Sequence, residues 1–302
     1  MKIGYPCIHT EIGCKASSGF RLASYSKDRL IETVQRNLDC LEKILLFNLK
    51  HKIFFFRISS DLVPFASHPI CTYDWQAHFS KQLKNIGNFI KKHDMRISMH
   101  PDQFVLINAK DKRIVKNSIR ELAYHCQVLD LMMLDETAKI QIHVGGLYGD
   151  KVASVDRFIR VYKALPLDMK KRLAIENDDY KYSVQDCIDI HKKINVPVIF
   201  DSLHHDCLNN GESYREALKI CSKTWTKKDG IPIIDYSTQD KTKRKGAHTL
   251  SIDIRHFKAF IKEIKGIDCD IMLEIKDKQK SASRALEVLR VKDKIRRLLV
   301  ER

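Results

Sequence analysis

The residues of this chain that could do chemistry come at the ends of short apolar segments. Six consecutive segments of this kind finish in a residue type that binds metals, namely His100, His143, Glu176, Asp201, Asp235 and Glu274. A carboxylate at the edge of a dry core is unfavourable unless it is paired or bound to a cation. Several carboxylates held together also repel one another. Divalent cations would relieve both effects, so the set predicts a metal cluster.

Histidines in the adjoining loops extend this set of possible ligands. They are His68, His204, His205 and His248. A single loop histidine is as often an ordinary hydrogen-bonded residue as a ligand. Imidazole and carboxylate donors without a thiolate suit Mn²⁺, Zn²⁺ or Fe better than Mg²⁺. One ion cannot use so many donors, so we expect two or three ions, which suits phosphodiester hydrolysis.

The charge balance points to the same kind of substrate. The chain has 54 Lys+Arg and 38 Asp+Glu in 302 residues, a net charge of +16. Such a surplus favours a polyanionic partner such as nucleic acid, although it could serve solubility alone. The densest basic stretch holds Lys241, Lys243, Arg244 and Lys245, and a second basic cluster lies at 290–297. No P-loop, dinucleotide fingerprint or G-x-S-x-G elbow is present, so those chemistries are not indicated.

The elements that must position these residues alternate along the chain. Strands are predicted at residues 2–7, 53–58, 96–100, 139–144, 172–176, 197–201, 232–236 and 270–275. Helices are predicted at residues 27–49, 78–92, 117–134, 154–164, 183–193, 213–226, 253–265 and 281–300. Eight strand–helix units predict a (β/α)₈ TIM barrel formed by a single domain, residues 1–302. An open doubly wound sheet is the alternative. In a barrel, all the strand ends named above meet at one rim.

Cysteine usage and the chain's start bear on its location. The nine cysteines include no C-x-x-C pair, so we expect reduced thiols in an intracellular, reducing compartment, either cytoplasm or nucleus. The first residues contain no apolar signal segment, and no run approaches a membrane span of about 18 residues. We therefore expect no membrane association.

At the strand ends the sequence resembles the UV damage endonuclease family, which is related to the endonuclease IV barrel. The matching segments occur in order at residues 3–7, 57–60, 64, 67–68, 98–104, 142–146, 175–178, 200–205, 246–248 and 272–276. The resemblance implies a metal-dependent endonuclease that nicks double-stranded DNA, with Mn²⁺ as the expected metal. It implies cleavage 5′ to cyclobutane pyrimidine dimers and 6–4 photoproducts, leaving a 3′-hydroxyl, by a protein expected to be monomeric.

The resemblance also assigns roles to residues. It implies metal ligation by His68, His100, His143, Glu176, Asp201, His204, His248 and Glu274, and Asp235 joins them as the end of the seventh strand. We expect Glu176, Glu274, His143 and His204 to act directly in catalysis. Gln103 and Phe104 match the family's Gln-Tyr probe, which enters the duplex at the damage. Tyr5 is expected to line the lesion pocket, and the basic stretch is expected to contact DNA.

Four positions depart from the family pattern. The family has Lys-x-His at strand seven, where this chain has Ile233 and Asp235. Asp235 can ligate a metal, whereas Ile233 cannot, so the number of ions is open. Phe104 lacks the tyrosine hydroxyl, and His9 replaces an asparagine, so contacts to the lesion are expected to differ.

Three other functions remain compatible with the sequence. An abasic-site endonuclease of the endonuclease IV type would use the same ligands and the same charge. A metal-dependent sugar isomerase on a similar barrel would explain the ligands but not the charge. A non-catalytic DNA-binding barrel would explain the charge and leave the ligands without a role.

Overall fold

Eight parallel strands form a closed barrel in chain order, as the TIM-barrel prediction requires. A computed structural model of the chain describes residues 1–300, and the side chains of residues 1–290. The strands are β1 (Ile3–Pro6), β2 (Phe55–Ile58), β3 (Arg96–Met99), β4 (Lys139–His143), β5 (Leu173–Glu176), β6 (Val198–Asp201), β7 (Ile233–Tyr236) and β8 (Asp270–Leu273). The pairing of β8 with β1 closes the barrel, so no sheet edge is left open.

Helices follow the strands and cover the outside of the barrel. They are α1 (Lys27–His51), α2 (Trp75–Lys92), α3 (Lys112–Leu131), α4 (Lys151–Ala164), α5 (Leu167–Arg172), α6 (Val184–Ile194), α7 (Ser202–Cys207), α8 (Tyr214–Ser222), α9 (Ile254–Glu263) and α10 (Gln279–Val300). Ser26 and Ser183 cap α1 and α6 as their positions predict. The prediction of eight helices is wrong, because the short helices α5 and α7 were not anticipated.

The inside of the barrel is filled in layers. At the amino-terminal end of the strands, Arg96 on β3 reaches Asp270 on β8 with 3.3 Å between Nη1 and Oδ2. Above this pair lies a small apolar cluster of Phe55, Ala174, Ile199, Ile233 and Met272. The layer at the carboxyl ends of the strands holds the polar residues of the candidate site. Ile233 therefore belongs to the dry layer beneath that site.

One expectation about the cysteines is wrong. Cys14, in the loop after β1, forms a disulfide with Cys40 on α1. The prediction of free thiols holds for the other seven cysteines. The disulfide fastens a loop at the carboxyl-terminal rim of the barrel to the outer helix beside it.

Two further predictions concern membrane spans and the second basic cluster. Among the helices described, none has the length and apolar character that crossing a bilayer requires. Most of the basic cluster at 290–297 has side chains that lie outside the described residues.

Candidate active site

Glu176 lies at the centre of three histidines at the carboxyl ends of the strands. Its Oε1 is 3.0 Å from Nδ1 of His204, and its Oε2 is 3.5 Å from Nε2 of His100 and 3.7 Å from Nε2 of His143. The side chain ends β5 and is buried. The barrel thus brings together three of the predicted strand ends, which are far apart in sequence, with the loop candidate His204 on α7.

Asp201 is held in place by the start of α7. Its Oδ1 accepts a hydrogen bond of 2.7 Å from the backbone N–H of His204, which makes it the N-cap of that helix. Asn177 fixes the backbone of Asp201, donating to its carbonyl at 3.1 Å and accepting from its N–H at 2.9 Å. These contacts leave Oδ2 of Asp201 free, with its carboxyl group 3.7 Å from the His204 imidazole.

Glu274 and Asp235 complete the carboxylate set on the other side of the site. Oε2 of Glu274 lies 3.6 Å from Nε2 of His248, in the loop after β7. Asp235 is wholly buried, and both of its oxygens accept from Nη2 of Arg57, at 2.8 and 2.9 Å. Nη1 of Arg57 also donates to Glu274.

Three groups of donors in this site are compact enough to hold a metal ion. They are His100 with His143 and Glu176, then Glu176 with Asp201 and His204, and then Asp201 with Asp235 and Glu274. Several buried polar atoms here have no hydrogen-bond partner within the described part of the chain, namely Nδ1 of His100, His143 and His248 and Oδ2 of Asp201. Buried polar atoms without a partner are rare unless a ligand or water binds them. The residues therefore fit divalent cations.

The electrostatics of the site also favour added positive charge. Burial lowers the pKa of His100 to about 4, which keeps its imidazole in the neutral form that binds metals. Burial raises the pKa of Asp201 to about 6, with His204 lowering it and two other carboxylates raising it. Burial also disfavours ionisation of Glu176, but the surrounding histidines outweigh this effect and lower its pKa to about 2. Glu176 is therefore ionised at neutral pH and can bind a cation.

A cavity of about 570 Å³ opens above the ligands. Its walls come from the loops after β3, β5 and β7, and include Gln103, Tyr180, Lys243 and Arg244. Gly246 lets the β7 loop approach the β5 loop, because it has φ +79° and a Cβ there would lie 2.3 Å from Oδ2 of Asp179. The cavity therefore combines a metal-binding floor with a basic wall.

Most of the predicted DNA-contacting residues are near the cavity and exposed, whereas Tyr5 is not. Lys241 and Lys245 are exposed on the same loop as Lys243 and Arg244, and Phe104 is 63% exposed beside Gln103. Tyr5 is wrongly predicted to line the pocket. It is wholly buried on the outer side of β1, where its hydroxyl donates to Oδ1 of Asn48 on α1 at 2.8 Å.

Three further histidines lie apart from the donor groups described above. His68 is exposed, and its Nδ1 accepts from the N–H of Ile70 at 3.1 Å. His205 points away from the site, with Nε2 2.8 Å from the carbonyl of Glu212. His9 is buried and packs edge-on against Phe47.

Sequence reasoning gave no role to four residues that shape this site. Arg57 and Gln141 lie in its floor, Asn177 orients Asp201, and Tyr180 is 70% exposed on the cavity wall. One signal was available: Gln141 precedes His143 by two residues, so both side chains of β4 face the same side. No comparable signal exists for Tyr180, which belongs to a loop.

Comparison with known proteins identifies the family. The model of the family described as UV-endonuclease UvdE matches residues 1–301. The chain belongs to this family. A UV DNA damage endonuclease of Clostridium perfringens (strain 13 / Type A) is 42% identical to this UvdE member over 292 residues, which is 96% of this chain and 71% of that protein.

Solved structures agree with the UvdE assignment. The crystal structure of SacUVDE superposes with a TM-score of 0.93 at 44% identity, covering 97% of this chain and 99% of that chain. Endonuclease IV from Thermus thermophilus gives a TM-score of 0.59 at 11% identity, over 82% of this chain and 92% of that chain. The second likeness concerns the fold alone, and it agrees with the predicted (β/α)₈ barrel.

Proposed function

We propose that this chain is a metal-dependent endodeoxyribonuclease that hydrolyses a phosphodiester on the 5′ side of UV lesions and leaves a 3′-hydroxyl. The lesions are cyclobutane pyrimidine dimers and 6–4 photoproducts. The observation that carries the proposal is the histidine–carboxylate cluster at the floor of a cavity with a basic wall, in a member of the UvdE family. Sugar isomerisation is not favoured, because a neutral sugar carries no charge for the basic wall to attract.

The residues that would hold the ions are those gathered at the strand ends. The proposed ligands are His100, His143, Glu176, Asp201, His204, His248 and Glu274, with His68 as a further candidate. Mixed imidazole and carboxylate donors favour Mn²⁺, with Zn²⁺ or Fe as alternatives. Bound ions would polarise the phosphodiester and lower the pKa of a nearby water. We place Glu176, Glu274, His143 and His204 closest to the reacting phosphate.

The remaining side chains bind and open the DNA. Lys241, Lys243, Arg244 and Lys245 would hold phosphates through charge, which positions the duplex without reading its sequence. Gln103 and exposed Phe104 would enter the duplex at the lesion, where bases that are already poorly stacked are easier to displace. Tyr180, on the opposite loop, offers a flat surface on which a displaced base can stack.

The same proposal includes the state and setting of the protein. Residues 1–302 act as one domain and as a monomer on double-stranded DNA. We place the enzyme inside the cell, where its substrate is found.

A plasmid assay tests this function. UV-irradiated supercoiled plasmid should be nicked in Mn²⁺ and protected by EDTA, while undamaged plasmid should be cut far more slowly. Glu176→Gln and Glu274→Gln should lower nicking at least 100-fold and leave binding to damaged DNA largely unchanged. Glu32→Gln, an exposed glutamate on α1, is the matched control and should nick normally.

Defined oligonucleotides separate this function from its alternatives. A duplex with a single photodimer should be cut on the 5′ side of the dimer, and the product should be extended by a polymerase because it ends in a 3′-hydroxyl. Preference for a single abasic site over the photodimer would favour an endonuclease IV-type activity. Equal nicking of irradiated and undamaged plasmid would contradict the proposed lesion specificity.

A further inference from the structure

One cationic side chain already lies among the carboxylates of the candidate metal centre. Arg57 extends from β2 into the barrel and is 2% exposed. Nη2 of its guanidinium donates to both oxygens of Asp235 on β7, at 2.8 and 2.9 Å, and Nη1 donates to Glu274. Hydrogen bonds between a guanidinium and a carboxylate are charge-assisted and roughly twice as strong as those between neutral groups. Arg57 therefore joins two of the carboxylates expected to bind metal.

Gln141 strengthens this arrangement from β4. Its Oε1 accepts from Nη2 of Arg57 at 2.8 Å, and its Nε2 donates to Oδ2 of Asp235 at 2.6 Å and also to Glu176. Asp235 thus receives three hydrogen bonds from two neutral or cationic side chains and has no exposed surface. Its oxygens are directed at these donors, and they are not directed at the open cavity.

Arg57 and a metal ion would compete for the third donor group. That group consists of Asp201, Asp235 and Glu274, and Arg57 contacts the last two of these. An ion bound there would lie close to a guanidinium in a region shielded from water, where like charges repel strongly. The first two donor groups, centred on Glu176, contain no residue that pairs with Arg57.

We propose that Arg57 takes the place of a third metal ion, so that this protein binds two divalent ions and Asp235 is the counter-ion of Arg57 and not a metal ligand. Glu274 then gives Oε1 to Arg57 and keeps Oε2, which faces His248, for an ion. Arg57 is a positioning residue that orients Glu274. The inference rests on the proposed function only in treating the cluster as a metal centre.

The net charge of the site agrees with two ions. The four carboxylates Glu176, Asp201, Asp235 and Glu274, together with the Arg57 guanidinium, carry a net charge of −3 when ionised. Two divalent ions change this to +1, which one phosphodiester charge neutralises. A third ion would change the net charge of these five groups to +3.

Metal stoichiometry tests the inference without relying on nuclease activity. Each protein is stripped with a chelator, reloaded with Mn²⁺, desalted and analysed for manganese per chain by mass spectrometry. We expect two ions in the wild type, two in Asp235→Asn and fewer than two in Glu274→Gln. Asp268→Asn, an exposed aspartate at the opposite end of the barrel, is the control and should also bind two ions.

A double variant gives a second, independent measurement. Arg57→Gln frees Asp235 and Glu274 and should raise the count to three, and Arg57→Gln combined with Asp235→Asn should return it to two. If Arg57→Gln does not fold, the wild-type and Asp235→Asn counts decide the question alone. Three ions in the wild type, or loss of an ion in Asp235→Asn, would overturn the inference. Either result with lesion-specific nicking intact would leave the proposed function standing.

Discussion

At the scale of single residues, the geometry of the candidate site depends on side chains that touch no substrate. Asn177 is the clearest example, because its amide both donates to and accepts from the backbone of Asp201. The backbone carbonyl oxygen of Asn177 lies 3.0 Å from Nδ1 of His204, which is a second candidate ligand. One asparagine therefore orients two ligands that come from β6 and α7. Changing a residue that orients a ligand typically lowers metal affinity or activity by about 10- to 100-fold.

Asn177→Ala should weaken Mn²⁺ binding by about 10- to 100-fold, because it releases the backbone of Asp201 and loosens the start of α7. Isothermal titration of the metal-free protein with Mn²⁺ measures this change directly. Nicking should fall at low Mn²⁺ and recover in large part at high Mn²⁺, which a merely misfolded variant would not do.

Asn209→Ala is the matched control for this prediction. Asn209 is exposed and donates to the carbonyl of His205, on the side of α7 that faces away from the ligands. Its Mn²⁺ affinity should equal that of the wild type. An unchanged Mn²⁺ affinity in Asn177→Ala would mean that Asn177 does not orient the ligands.

At the scale of elements, the strands could be predicted because each one is a short, continuous apolar run, as a covered parallel sheet requires. The two missed helices, α5 and α7, have six residues each, too few to show a helical repeat. Tyr5 was misplaced for a different reason. Side chains alternate along β1, and the sequence does not say which set faces the barrel interior. The charge pair of Arg57 and Asp235 joins β2 to β7, a contact that only the closed barrel creates.

The loop after β7 is the element whose charge should matter most for DNA binding. Lys243→Gln combined with Arg244→Gln should weaken binding to damaged and undamaged duplexes by similar factors, because both residues line the cavity wall and phosphates carry no lesion information. Fluorescence anisotropy across a salt series measures the effect. The slope of log affinity against log salt should fall by about 0.9 for each phosphate that the variant no longer neutralises.

The control for this loop removes the same charge from another element. Lys81→Gln combined with Lys84→Gln changes two exposed lysines on α2 and alters the net charge equally. Affinity and salt slope should stay near the wild-type values in this variant. If both pairs weakened binding equally, the effect would belong to overall charge and not to the loop.

At the scale of the whole molecule, the two ends of the barrel carry residues with different roles. The carboxyl ends of the strands carry the candidate ligands, whose electrostatics favour a cation. The amino ends carry buried charges that are already paired: Arg96 with Asp270, Lys139 with Asp229, and Arg172 with Asp130 at 2.6 Å. This division matches the general behaviour of TIM barrels, in which one face serves chemistry and the other stability. Changes at the amino end should therefore alter stability without altering the site.

Asp229→Asn tests this division, because it removes the counter-ion of a wholly buried lysine. Lys139 Nζ lies 2.5 Å from Oδ1 of Asp229, and in the variant it would have only neutral acceptors, namely the new amide oxygen and the carbonyl of Lys171 at 2.7 Å. Leaving one member of a buried ion pair unpaired typically destabilises a protein by about 3–5 kcal/mol. The free energy of unfolding in urea should fall by that amount, while exposed Asp268→Asn stays within about 0.5 kcal/mol of the wild type.

Nicking per folded molecule at 25 °C should stay within about twofold of the wild-type rate in Asp229→Asn, since the Lys139–Asp229 pair lies beneath the apolar layer that supports the ligands. A stability near that of the wild type, or a loss of nicking beyond the unfolded fraction, would mean that the two ends of the barrel are not separate in this way.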